Sequence, residues 1–148
     1  MAYETASGAK LKASAALPAT YDSVGYGALT MITVGEVTNI GAFGKVFATV
    51  THNSLEQRGT QKSKGSFNNG QIQPQLALDN SDAGQDILRT AVDSDDPIAM
   101  SVELRSGDEY FFAGLVMSMP PNVAAADDIV MSQPTIEIDH NPIILVEA

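Results

Sequence analysis

Residues 81–95, SDAGQDILRTAVDSD, are the one stretch of this chain that reads as an amphipathic helix, and nearly everything around them reads as strand or loop. Ile87, Leu88, Ala91 and Val92 recur at helical spacing as one apolar stripe, with Asp82, Asp86, Arg89 and Asp93 on the other side. Asn80 or Ser81 is placed to cap the helix by accepting from an orphan backbone N–H, and Asp82 suits the positive end of its dipole. Asp96-Pro97 stops it, because proline disfavours helical geometry in the residue before it. One helix between two sets of strands acts as a plug for an open sheet or barrel end.

The length of 148 residues suits a single domain, 1–148, with a substantial core, and 44% hydrophobic with 18% charged residues marks a globular chain. No apolar run approaches the ~18 residues of a membrane span, so no membrane anchoring is expected. The opening MAYETASGAKLKASAALP lacks an apolar signal core, which predicts folding in a cytoplasm. Without cysteine there is no disulfide, thiolate nucleophile or thiolate metal site. A net charge of −10 argues against gripping nucleic acid, since phosphates are neutralised by Lys and Arg. It leaves open a surface that polyanions merely pass, and solubility alone explains it as well.

Residues 1–29, rich in Ala, Ser and Gly, read as an extended arm or a frayed terminus. Strand patterns follow at 29–40, with Gly35 marking a bulge or close approach, and at 45–51, KVFATVT, after a turn at 41–44. Residues 52–70, HNSLEQRGTQKSKGSFNNG, read as a long polar loop with two sizeable apolar side chains, Leu55 and Phe67. Residues 71–78 form a strand that Pro74 demotes to an edge or bulge. After the helix, 98–105 and 110–119 pair as a hairpin through the turn 106–109, and the second strand is apolar on both faces, hence covered on both. Short strands at 130–132 and 135–139 precede a hydrophobic tail within 140–148. The expected fold is mainly β, a β-sandwich or partly closed β-barrel with one α-helix and a long inter-strand loop.

Patterns that carry catalysis fail in turn. Gly44-Lys45 is followed by Val46 and has no glycine at position 39, so no P-loop forms. No G-x-S-x-G elbow occurs, and Ser63 and Ser66 lack a histidine partner in sequence. His52 and His140 each end a strand and read as surface residues. Asp79, Asp82, Asp93, Asp95 and Asp96 flank the helix, where capping and solvation account for them more cheaply than a hard cation, and Asp127-Asp128 reads as an acidic loop. The expectation is a protein that is not an enzyme and uses no cofactor or metal.

The succession GEVTNI (35–40), FATVTHNSLEQR (47–58), a polar loop to Gly70, a strand, and DNSDAGQDIL (79–88) resembles the major tail tube protein of long-tailed (siphovirus, lambda-type) bacteriophages. The hairpin 100–119 and TIEID (135–139) sit where that family has closing strands, so the resemblance spans roughly residues 30–140. It implies a structural virion protein made in the host bacterial cytoplasm, forming hexameric rings stacked into a tail tube. DNA would pass through such a tube without specific binding, with a tape-measure protein and tail terminator or tip proteins as partners. A tube component of a type VI-like secretion system or gene transfer agent is the alternative, and a small acidic binding module follows it. On this reading the arm 1–29, the loop 52–70 and the tail 140–148 serve assembly, with Arg58, Lys62, Lys64 and Phe67 at the stacking interface. Polar residues that alternate with apolar ones, Gln71, Gln73, Gln75, Ser101, Glu103, Thr135, Glu137 and Asp139, are the expected lumen wall.

Overall fold

The computed structural model describes residues 3–148. Its elements begin with β1 (Lys10–Ser14), α1 (Ser23–Gly27), β2 (Ile32–Val34), β3 (Val37–Asn39), β4 (Val46–His52) and β5 (Gln61–Asn68). Then come β6 (Gln71–Ile72), β7 (Gln75–Ala77), α2 (Ala83–Val92), β8 (Ile98–Glu103) and β9 (Glu109–Ser118). The chain closes with β10 (Pro121–Asn122), β11 (Met131–Ser132), β12 (Thr135–Ile138) and β13 (Ile144–Val146).

A seven-stranded antiparallel sheet runs β2-β1-β8-β9-β12-β6, with β13 beside β9; a four-stranded sheet runs β10-β11-β7-β3; β4 and β5 form a two-stranded sheet of their own. The large sheet ends in β2 and β6, so the architecture is an open β-sandwich and not a closed barrel. Period-2 alternation sets what each face presents. Leu11, Ala13, Met100, Val102, Phe112, Val116, Ile136 and Ile138 point inward to one core with Leu76 of the second sheet and Leu88 and Ala91 of α2. The outer face of β9 is covered too, as its double apolar pattern predicts: Tyr26 of α1 stacks on Phe111 with ring centroids 5.3 Å apart, and Ala99 packs beside them.

The helix is shorter than expected. It spans Ala83–Val92, and its cap is Asp82, whose carboxylate accepts from Gln85 N at 2.9 Å. Its buried face is centred on Gly84, Gln85, Leu88 and Ala91, with Ile87 and Val92 half-buried at the margins. Gly84 lets the helix approach β2 closely: a Cβ there would lie 2.4 Å from the Thr33 carbonyl oxygen. Gln85 is fully buried and nearly saturated. Its amide donates to Gly35 O (3.0 Å) and Ala77 O (2.8 Å), and its oxygen accepts from Asp79 N (2.9 Å). Gly35, flagged from sequence as a close approach, donates its N–H to Asp82 at 3.0 Å.

Several expectations are corrected. Of the expected arm 1–29, residues 1 and 2 lie outside the described residues and 3–29 form no arm: β1 lies inside the large sheet between β2 and β8, and α1, a second helix, starts at the Asp22 cap. Ala and Ser weaken the strand signal of KLKAS, and pairing on both edges supplies the order instead. The loop 52–70 is the far half of a hairpin, with β5 occupying Gln61–Asn68 and only 53–60 and 69–70 outside strands. The strand 71–78 divides at Pro74 into β6 and β7, which belong to different sheets. The tail 140–148 contains β13, paired with β9 from Phe111 to Glu109.

Leu88→Ala is expected to cost on the order of 2–5 kcal/mol in chemical denaturation, as a buried leucine leaves a cavity. Gln85→Leu should cost at least about 1–3 kcal/mol, because it strands buried backbone groups without partners. Burial pushes the Tyr26 hydroxyl up to about 12, with the Tyr21 and Asp139 charges adding to it. The folded state therefore holds the neutral phenol above the ordinary value of 10.0, so stability is unaffected below that pH and falls as pH rises toward 12. Tyr26→Phe removes that part of the alkaline loss, and denaturation midpoints of both proteins between pH 9 and 12 check it. A parallel decline in the two would count against it.

Candidate assembly interface

Both strands of the β4–β5 hairpin are exposed along nearly their whole length, and among the described residues neither pairs with any other strand. A two-stranded ribbon is marginal in water by itself. Its faces differ in chemistry. Cross-strand partners share a face, so Phe47 and Phe67, Thr49 and Lys64, and Thr51 and Lys62 lie together. The Phe47 and Phe67 rings meet at 5.7 Å, with Lys45 Nζ 4.5 Å from the Phe67 centroid and Lys64 Nζ 4.8 Å from that of Phe47. These cation–π contacts keep the aromatic pair on the ribbon while leaving it half-open to solvent. Val46 and Val50 stand on the opposite face, and Leu55 in the tip projects fully into solvent.

The hairpin also gathers charge. Residues 45–68 hold Lys45, Arg58, Lys62 and Lys64 against the single acid Glu56, a local +3 in a chain of −10, which leaves −13 on the rest. The four residues expected at a stacking interface, Arg58, Lys62, Lys64 and Phe67, are thus all on this ribbon or its tip, and all exposed. Lys45, Phe47 and Leu55 complete the group. Leu55 already stands out in the sequence as an isolated apolar side chain, whereas Lys45 and Phe47 read there only as part of an alternating strand.

Of the residues expected on a lumen wall, Gln71, Ser101, Glu103, Thr135 and Glu137 belong to the large sheet; the pairings Gln71↔Glu137 and Glu103↔Glu109, and the alternation of Thr135 and Glu137 with inward Ile136 and Ile138, place Gln71, Glu103, Thr135 and Glu137 on its outer face. Ser101 shares that face but is buried, its hydroxyl donating to Glu109 at 2.6 Å, so it leaves the exposed set. Glu103 is paired with Lys12, whose ammonium hydrogen bond holds its carboxyl below the ordinary value. Gln73 lies in the crossover and donates to Thr135 Oγ1 at 3.1 Å, while Gln75 is on β7 in the other sheet. Asp139 follows β12. Burial pushes its carboxyl up, but hydrogen bonds from the His140 backbone and ring and from Asn141 outweigh that and hold it low. His52, at the far end of β4, is well separated along the hairpin from His140 near its base. Asp79 and Asp82 are occupied with Ser81 and with the helix cap.

This fold recurs in extracellular contractile injection systems. The chain is similar to a chain of the anti-feeding prophage (AFP) baseplate, solved with six-fold symmetrisation: TM-score 0.72, 8% identity, covering 99% of this chain and 98% of that one. It is similar to a chain of the PVC sheath/tube terminator in the extended state, TM-score 0.68 at 8% identity over 97% of both. A chain of the PVC sheath-tube complex in the extended state aligns at TM-score 0.58 and 10% identity over 95% and 88%. No family model and no curated protein matches the sequence. At 8–10% identity the likeness is one of fold, and none of the three structures is described as a lambda-type tail.

Replacing residues 53–60 by Asn-Gly, a two-residue hairpin turn, should leave the unfolding free energy within about 0.5 kcal/mol of the parent, since the tip lies outside the core. A larger loss in denaturant titration would show that the tip supports the monomer.

Proposed function

We propose that this protein is a structural subunit of a tail or injection tube, in which identical copies form six-membered rings that stack around a channel. The observation that carries it is the free-standing hairpin: a basic, aromatic ribbon exposed on both faces in one copy gains its missing contacts from neighbours. The open edges β2 and β6 support ring closure, because strand edges pair across subunits and a head-to-tail contact closes a ring. The six-fold baseplate neighbour supports the ring number, and the contractile neighbours favour an injection tube over a lambda-type tail. Within such a ring the open part of the outer sheet face, with Gln71, Thr135 and Glu137, lines the channel. It offers DNA few cationic grips, so passage does not stall. The tape-measure and terminator or tip proteins are the corresponding partners, the assembly is a virion or injection particle, and the role is not enzymatic.

Negative-stain microscopy of the concentrated parent protein should show rings or tubes, and the Asn-Gly tip variant should remain monomeric. A parent that stays monomeric at every concentration, or a tip variant that assembles normally, overturns the reading. Glu137→Lys should still assemble but retain double-stranded DNA at low salt, which the parent tube does not. Equal retention by both would remove Glu137 from the channel wall.

A further inference from the structure

The base of the hairpin borders a cleft of about 640 Å³, walled by Phe47 and Phe67 on one side and by Ile138, Asp139 and His140 on the other. Asn69 is buried at its floor. The amide donates to Asp139 O at 2.6 Å and Asn141 O at 3.0 Å, while Oδ1 has no partner among the described residues. Lys45 and Lys64 stand over the two rings, and among the described residues neither has a carboxylate within ion-pair distance. The cleft therefore presents two aromatic rings with Lys45 and Lys64 beside them, and on the facing wall the Asp139 carboxylate, already taken up by His140 and Asn141.

A segment of complementary chemistry lies elsewhere in the chain. Residues 123–130, VAAADDIV, form a tongue between β10 and β11, with Val123 74% and Ile129 71% exposed and Asp127 and Asp128 between them. It is a defined turn: Asp128 N donates to Ala125 O at 3.0 Å, and Leu78 N holds Val130 O at 2.9 Å. The tongue leads into β11 and so to the Thr135 end of β12, whereas the cleft lies at the Ile138 end. One copy cannot fill its own cleft with it.

We infer that the tongue of one copy seats in the hairpin-base cleft of a second copy, Val123 and Ile129 covering the Phe47–Phe67 pair and Asp127 and Asp128 meeting Lys45 and Lys64. The contact is heterologous, so it repeats from copy to copy. Burying the aromatic pair supplies the apolar drive, and the charges set register and partner choice. This inference rests on the self-assembly reading above and adds which two surfaces meet.

The chain has no cysteine, which permits a direct test. Ser66→Cys, at the cleft wall, and Ala126→Cys, in the tongue, are prepared as separate proteins, mixed at assembling concentration and oxidised. A disulfide-linked pair containing one of each is expected, well above the level given by Ser66→Cys mixed with Val24→Cys. Adding Asp127→Lys to the tongue variant should lower the linked yield about tenfold, and Lys64→Asp in the cleft variant should restore it. All these positions are exposed, so thermal melts of the variants should match the parent. Rings or tubes in the same sample without the specific disulfide overturn the docking and leave self-assembly standing. Neither assembly nor disulfide overturns both.

Discussion

The hydrogen bonds made by Gln85 hold the two sheets in register. One side chain on α2 binds Gly35 O at the turn from the large sheet into the small one, Ala77 O at the end of β7, and Asp79 N just before the helix. Asp82 adds the Gly35 N–H while capping the helix on which Gln85 rides. A fully buried polar group is costly unless satisfied, and this one is satisfied by three backbone groups on two separate segments. The helix is therefore more than a hydrophobic lid. It fixes where β2 ends and β3 begins, and so how the chain crosses between sheets.

That arrangement decides what is left over for other molecules. With α2 and the second sheet on the inner face of the large sheet, and Tyr26 over part of the outer face, the β4–β5 ribbon is excluded from every packed layer. A segment with paired strands but no layer beneath it stays only if something outside the monomer covers it, or if it costs little to leave exposed. Its cation–π contacts reduce that cost, and its charge, opposite to the remainder of the chain, favours contact with a body like its own.

Much of the fold is legible in the residues. The helix, the β8–β9 hairpin with its turn, the double coverage of β9, the short strands β11 and β12 and the close approach at Gly35 all follow from periodicity, turn residues and apolar runs. That the stretch holding the proposed interface residues Arg58, Lys62, Lys64 and Phe67 stands apart is legible, because a polar stretch with isolated apolar and basic side chains is unusual inside a small domain. Its geometry is not, since KSKGSF alternates only against an open partner strand.

What the sequence by itself determined are the features set by neighbours in the chain: helical and strand periods, proline breaks, the absence of cysteine, and the acidic balance interrupted by one basic segment. Only the tertiary structure decided that β1 is a central strand, that Pro74 divides one strand between two sheets, that Ser101 is buried, and that the 140–148 segment returns to pair with β9. Each of these depends on partners distant in sequence, such as Ser101 with Glu109 across β8–β9 or Leu11 with Val102 across β1–β8. Local propensity carries no record of such pairings, because their energy comes from surfaces that meet only after the chain has folded.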